Sequence, residues 1–77
     1  MQQTPTPVVK LKADAWQAWM GRLQLVRVED QAAHIGVSRA QLYQILAGAV
    51  PGERFIAACM ATYDGKFEQL FKIAESS

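Results

Sequence analysis

The side chains best placed to do chemistry lie in one stretch, VEDQAAHIGVSRAQLYQILAG, at residues 28–48. Arg39 carries a planar fork of donors that matches guanine O6 and N7. Gln44, about a turn further along a helix, pairs a donor with an acceptor in the pattern of adenine N6 and N7. Ala40 fits against a thymine methyl. Each good bidentate pair contributes about 1–3 kcal/mol of discrimination between base pairs. Ser38 and Gln41 complete this polar face, and no acid occurs between Gln31 and Gly52. Taken singly, Arg39 or Gln44 reads equally well as a solvated helix position. Taken together, with Ser38, Gln41 and no acid among them, they favour the reading of base edges. Backbone phosphates need donors without base preference. Arg27, before the stretch, and Arg54, just after it, are the candidates, with the Tyr43 hydroxyl beside a purely structural role for that ring.

Enzymatic chemistry fares poorly on inventory. The chain has one histidine, His34, and one cysteine, Cys59. No metal-ligand spacing, Gly-rich phosphate loop or nucleophile cluster is evident, so no cofactor and no catalytic residue is expected. His34 reads as a surface residue on the outer side of its helix, with a pH-sensitive phosphate contact as the sharper alternative. Cys59 sits in an apolar helical run and reads as a small buried hydrophobe.

Two helices must hold the reading face. Glu29 to Ile35 has Ala32 and Ile35 on its inner side, and Gly36 stops it, because glycine accepts the left-handed backbone of a sharp stop. Val37 anchors the turn, and Ser38 is a good N-cap. Leu42, Ile45 and Leu46 then recur at helical spacing, giving a second helix over 38–47 ended by Gly48. Helix, short glycine-containing turn and capped helix make a helix-turn-helix. An αα-corner with no nucleic-acid role is the alternative.

Around this unit the chain reads as a frame. Residues 1–7, with Pro5 and Pro7, form a flexible arm. Val8 to Lys12 is β-prone. Asp14 to Leu23 is a helix, with Trp16, Trp19, Met20 and Leu23 as its apolar stripe, and its Gly21 gives room for a neighbour to approach. A loop over Gln24 to Arg27 carries Leu25 or Val26 inward. Pro51-Gly52 turns the chain into a helix from Glu53 to Tyr63, burying Phe55, Ile56, Cys59, Met60 and Tyr63. Phe67 to Leu70 is one helical turn, with Phe67, Leu70 and Phe71 inward. Phe71 to Ile73 can pair with Val9 to Leu11, and residues 74–77 fray. The expectation is therefore an all-α fold of five helices, with room for a minor two-stranded pairing of the termini, in one domain over residues 8–73.

The whole composition fits a small folded domain. The chain has 77 residues, and 51% are hydrophobic, which is ample for a core but only a modest one. A lone cysteine forbids an internal disulfide and suits a reducing compartment. No apolar run reaches the length of a membrane span, and residues 1–9 lack the layout of a signal peptide, so a cytoplasmic location is expected and no membrane partner. The net charge of +1 counts against a nucleic-acid partner, although screening allows a local positive face on a near-neutral protein.

The segment AAHIGVSRAQLYQILAG resembles the helix-turn-helix of the phage repressor and Cro family, also called the Xre family. Its pattern is a small residue, Gly four positions on, a Val-Ser turn and two inward aliphatics, here Ala32, Gly36, Val37-Ser38, Leu42 and Ile45. The flanks VKLKADAW and PGERFIAACMATYDGKFEQLFKI are similar to small actinobacterial and actinophage members. The chain departs from the pattern at Val28, where members often carry a phosphate-contacting Gln, and at Gln31, where an aliphatic is usual. The resemblance implies a five-helix repressor-like domain that binds a double-stranded DNA operator. One copy contacts few base pairs, so a homodimer, at least on DNA, is expected. The competing expectation is a protein-interaction module of the same fold, an antirepressor or assembly factor that does not bind DNA itself.

Overall fold

The computed structural model describes residues 6–76. The chain runs β1 (Thr6–Leu11), α1 (Ala13–Arg22), α2 (Val28–Ile35), α3 (Arg39–Leu46), α4 (Glu53–Thr62), α5 (Phe67–Leu70) and β2 (Phe71–Ser76). The five helices lie within a residue or so of their expected bounds. The all-α expectation is overturned. β1 and β2 form an antiparallel two-stranded sheet, each strand six residues long, in the register Leu11↔Phe71, Val9↔Ile73 and Pro7↔Glu75. The pairing is a full structural element rather than a minor fringe. It takes in Thr6 and Pro7, assigned above to a flexible arm, and Ala74 to Ser76, assigned to a frayed end. Residues 1–5 and 77 of those two segments lie outside the described residues.

The sheet forms because its inner end is a core pair. Leu11 and Phe71 stand directly opposite one another and both are buried. Directly opposed side chains share one face of a sheet, so this pair turns that face onto the helices. In the next pair on that face Val9 still packs partly against the core, while Ile73 is 64% exposed.

The helices close over a chain of rings. Trp16 meets Trp19 edge-on at 5.5 Å and lies 5.7 Å from Phe55. Phe55 meets Phe71 edge-on at 6.4 Å, and Phe67 stacks on Phe71 at 5.0 Å. Edge-on and offset geometries suit the ring quadrupole. Met20, Ala32, Ile35, Leu42, Ile45, Cys59 and Leu70 complete the buried cluster. The α1 stripe ends at Met20, because Leu23 caps the helix and is half-exposed. Phe67 also keeps an exposed edge. Leu25, not Val26, turns toward the core; Val26 is 87% exposed. A Cβ on Gly21 would meet nothing within 4 Å, so no neighbour approaches there.

A buried Trp needs a partner for its indole N–H. Trp16 Nε1 donates to Gln31 Oε1 at 3.1 Å, and Gln31 Nε2 donates to the Leu25 carbonyl at 2.8 Å. Gln31 is 3% exposed. The polar residue in an apolar position is thus fully engaged, and it ties α1, the α1–α2 loop and α2 together.

Candidate nucleic-acid interface

Gly36 takes φ 91°, the left-handed conformation that glycine supplies without a Cβ clash. Its N–H and that of Val37 both donate to the Ala32 carbonyl, at 2.8 and 3.0 Å. The last turn of α2 is thereby closed, and three residues, Gly36 to Ser38, lead into α3. Ser38 is extended, and its Oγ accepts from Gln41 N at 3.0 Å, capping α3. Leu42 and Ile45 are buried, and Leu46 is half-buried. These anchors fix the rotation of α3 about its axis.

That rotation leaves the outer side free. Ser38, Arg39, Ala40, Gln41 and Gln44 are all exposed, and so is Tyr43 at 53%. Arg39 and Gln44 are not packed beneath any other part of the described chain. The Ser38 oxygen is committed to the cap, while its hydroxyl hydrogen stays available to an outside acceptor. α3 carries no acid in its first turn.

The proposed phosphate contacts differ in readiness. Arg54, in the first turn of α4, is exposed and has no ion-pair partner among the described residues. Arg27 is engaged: its Nε donates to Glu29 Oε1 at 2.9 Å, and its Nη2 binds the same oxygen. This hydrogen bond is the main reason the Glu29 carboxyl is held below its ordinary range, and Arg39 adds a smaller Coulombic pull. Glu29 therefore sits within electrostatic reach of two of the candidate cations. His34 is exposed on the outer side of α2, with its ring 6.5 Å from Trp19.

Sequence reasoning did not find one contact beside this surface. Lys10, on β1, donates through Nζ to the Gly48 carbonyl at the C-terminal end of α3. Gly48 itself is left-handed, at φ 114°. A lysine at that position complements both the orphan carbonyls and the negative end of the helix dipole. Its only advance signal is the alternation of Val8 to Lys12, which does not reveal what lies beside the strand.

Among the described residues no cluster of His, Cys, Asp and Glu could hold a metal ion. Cys59 is buried, and burial pushes its thiol up to about 12. No helix among the described residues is long and apolar enough to cross a membrane. Comparison of the chain with protein-family models, curated proteins and solved structures returns no match.

Proposed function

We propose that this chain is a sequence-specific DNA-binding transcriptional regulator of the phage repressor and Cro type, non-enzymatic, with α3 read into the major groove. One observation carries the reading. The polar side chains of α3 face solvent together, while Leu42 and Ile45 hold the helix from behind. Arg39 reads a guanine, Gln44 an adenine, and Ala40 a thymine methyl, with Ser38 and Gln41 at the groove edge. Arg54 and Tyr43 hold phosphates. Arg27 joins them only if it leaves Glu29. The operator is occupied by two copies on a two-fold site, and the protein acts in the bacterial cytoplasm.

A second reading keeps the fold but makes it a protein-interaction module. The Arg27–Glu29 pair favours it, because a cation already paired at the start of α2 binds phosphate poorly. Selection of duplexes from a random pool, followed by binding assays at low and moderate salt, separates the two. A shared operator motif, with salt-sensitive affinity that falls about 5- to 150-fold in Arg39→Ala and in Gln44→Ala, supports the regulator. No enrichment and no binding at low salt supports the interaction module.

A further inference from the structure

The ribbon of β1 and β2 carries a charge arrangement that the groove-reading helix does not use. Lys10 and Lys72 stand directly opposite each other across the two strands, so they share a face. Like charges directly opposite each other are destabilising. No carboxylate relieves them, since neither lysine forms an ion pair among the described residues. Their neighbours on the same face, Val8 and Ala74, are uncharged. Lys10 and Lys72 also border a cleft of about 340 Å³ whose other wall includes Leu46, Ala47 and Gly48 at the end of α3. Lys72 reaches a second cleft with Lys12 and Asp14. Asp14 makes no ion pair with it, and the Lys12 Nζ is occupied by the Glu68 carbonyl at 2.8 Å.

We propose that the Lys10–Lys72 face of the ribbon is a second DNA contact, binding the phosphodiester backbone that flanks the groove entered by α3. The inference rests on the reading of α3 as the recognition helix. Distance supports it. An eight-residue helix is about 12 Å long, and the major groove is about 12 Å wide. A cation fixed to the C-terminal end of α3, as Lys10 is through Gly48, therefore lies about one groove width from Ser38 and Arg39 at the other end of the helix. Phosphates line that margin. A bound phosphate also relieves the repulsion between the two lysines, so the unfavourable pair in the free protein becomes a favourable one on DNA. The contact is to backbone alone and carries no sequence information.

The test uses the full chain and a duplex chosen by selection from a random pool, with a scrambled duplex beside it. Lys72→Gln is the informative variant, because Lys72 holds no structural hydrogen bond among the described residues, and Lys72→Arg is its rescue. Binding is measured across salt concentrations. Loss of one phosphate contact lowers the slope of log affinity against log salt by about 0.9. The wild type then loses about 3.5-fold more affinity than Lys72→Gln between about 50 and about 200 mM salt. The expected variant loses affinity equally on both duplexes, and Lys72→Arg recovers it. An unchanged slope in Lys72→Gln, with the wild type still binding its selected duplex, overturns the ribbon contact and leaves the groove reading intact. A wild type that binds no duplex at low salt removes the groove reading, and the ribbon contact falls with it.

Discussion

Two side chains on α2 decide how this domain holds together and how it meets an anion. Gln31 is the first. It accepts from the buried Trp16 indole and donates to the half-buried Leu25 carbonyl, so its removal strands a donor in the core and an acceptor at its edge. An unsatisfied buried polar group is destabilising by about 1–3 kcal/mol. Gln31→Ala is therefore expected to lower stability in urea unfolding by about 2–4 kcal/mol, the lost packing included. The double variant Trp16→Phe/Gln31→Leu, which removes both polar partners, should recover part of that loss; strict additivity of the single changes would refute the coupling. Glu29 is the second. Its hydrogen bond with Arg27 depresses its carboxyl from the ordinary 4.5. A depressed carboxylate helps the fold above that value, and the help is lost as pH falls through the lower, folded one. In the proposed complex with DNA the sign would reverse, because the same carboxylate occupies Arg27 and repels phosphate. Glu29→Gln should tighten duplex binding and steepen its salt dependence by about 0.9, read from titrations at several salt concentrations. Unchanged affinity would mean that Arg27 takes no part.

The α2–α3 turn is the element in which sequence and structure correspond most closely. Gly36 and Ser38 announce it through local chemistry, one by its conformational freedom and the other by its cap, and both take the predicted conformations. The rotation of α3 was legible for a similar reason: Leu42 and Ile45 recur at helical spacing, and whatever lies opposite them must face out. A Cβ at Gly36 would meet no atom within 4 Å, so the cost of Gly36→Ala is conformational alone, about 1–2 kcal/mol. Ser38→Ala should cost about 0.5–2 kcal/mol through loss of the Gln41 hydrogen bond. Thermal melts of both variants check this. A melt unchanged in Gly36→Ala would mean that the turn relaxes out of its left-handed form. The ribbon was only half legible, since strand pairing between the two ends of a chain is a non-local event. Val9 and Ile73 suggested the centre of the pairing, but nothing local marks its extension to Thr6 and Ser76. The Gln31–Trp16 bond was hidden likewise, because fifteen residues separate the two and a helical pattern treats Gln31 as a misplaced polar residue.

At the scale of the molecule, the two ends of the chain close the core on which the α2–α3 unit is built. A domain of 77 residues has a net stability of about 4–12 kcal/mol, so one well-placed ring is a large fraction of it. Phe71 is that ring. It is 1% exposed, stacked by Phe67, met edge-on by Phe55, and opposed by Leu11 across the sheet. It belongs to β2 by backbone and to the helical core by side chain. Two residues along the same strand and on the same face, Ile73 is 64% exposed and pairs with Val9. The two positions share a strand and differ in burial, which separates the contribution of the sheet from that of the core. Phe71→Ala is expected to remove about 3–5 kcal/mol, a fall of at least about 12 °C in melting temperature for a domain of this size. Ile73→Ala should stay within about 0.5 kcal/mol of the parent. Melts followed by circular dichroism distinguish the cases. If Ile73→Ala proves as damaging as Phe71→Ala, the outer ribbon is itself covered in solution, and its exposed face is an interface. If only Phe71→Ala is damaging, the Val9–Ile73 end of that face stays uncovered in solution, and the stability of the ribbon rests on its inner pair, Leu11 and Phe71.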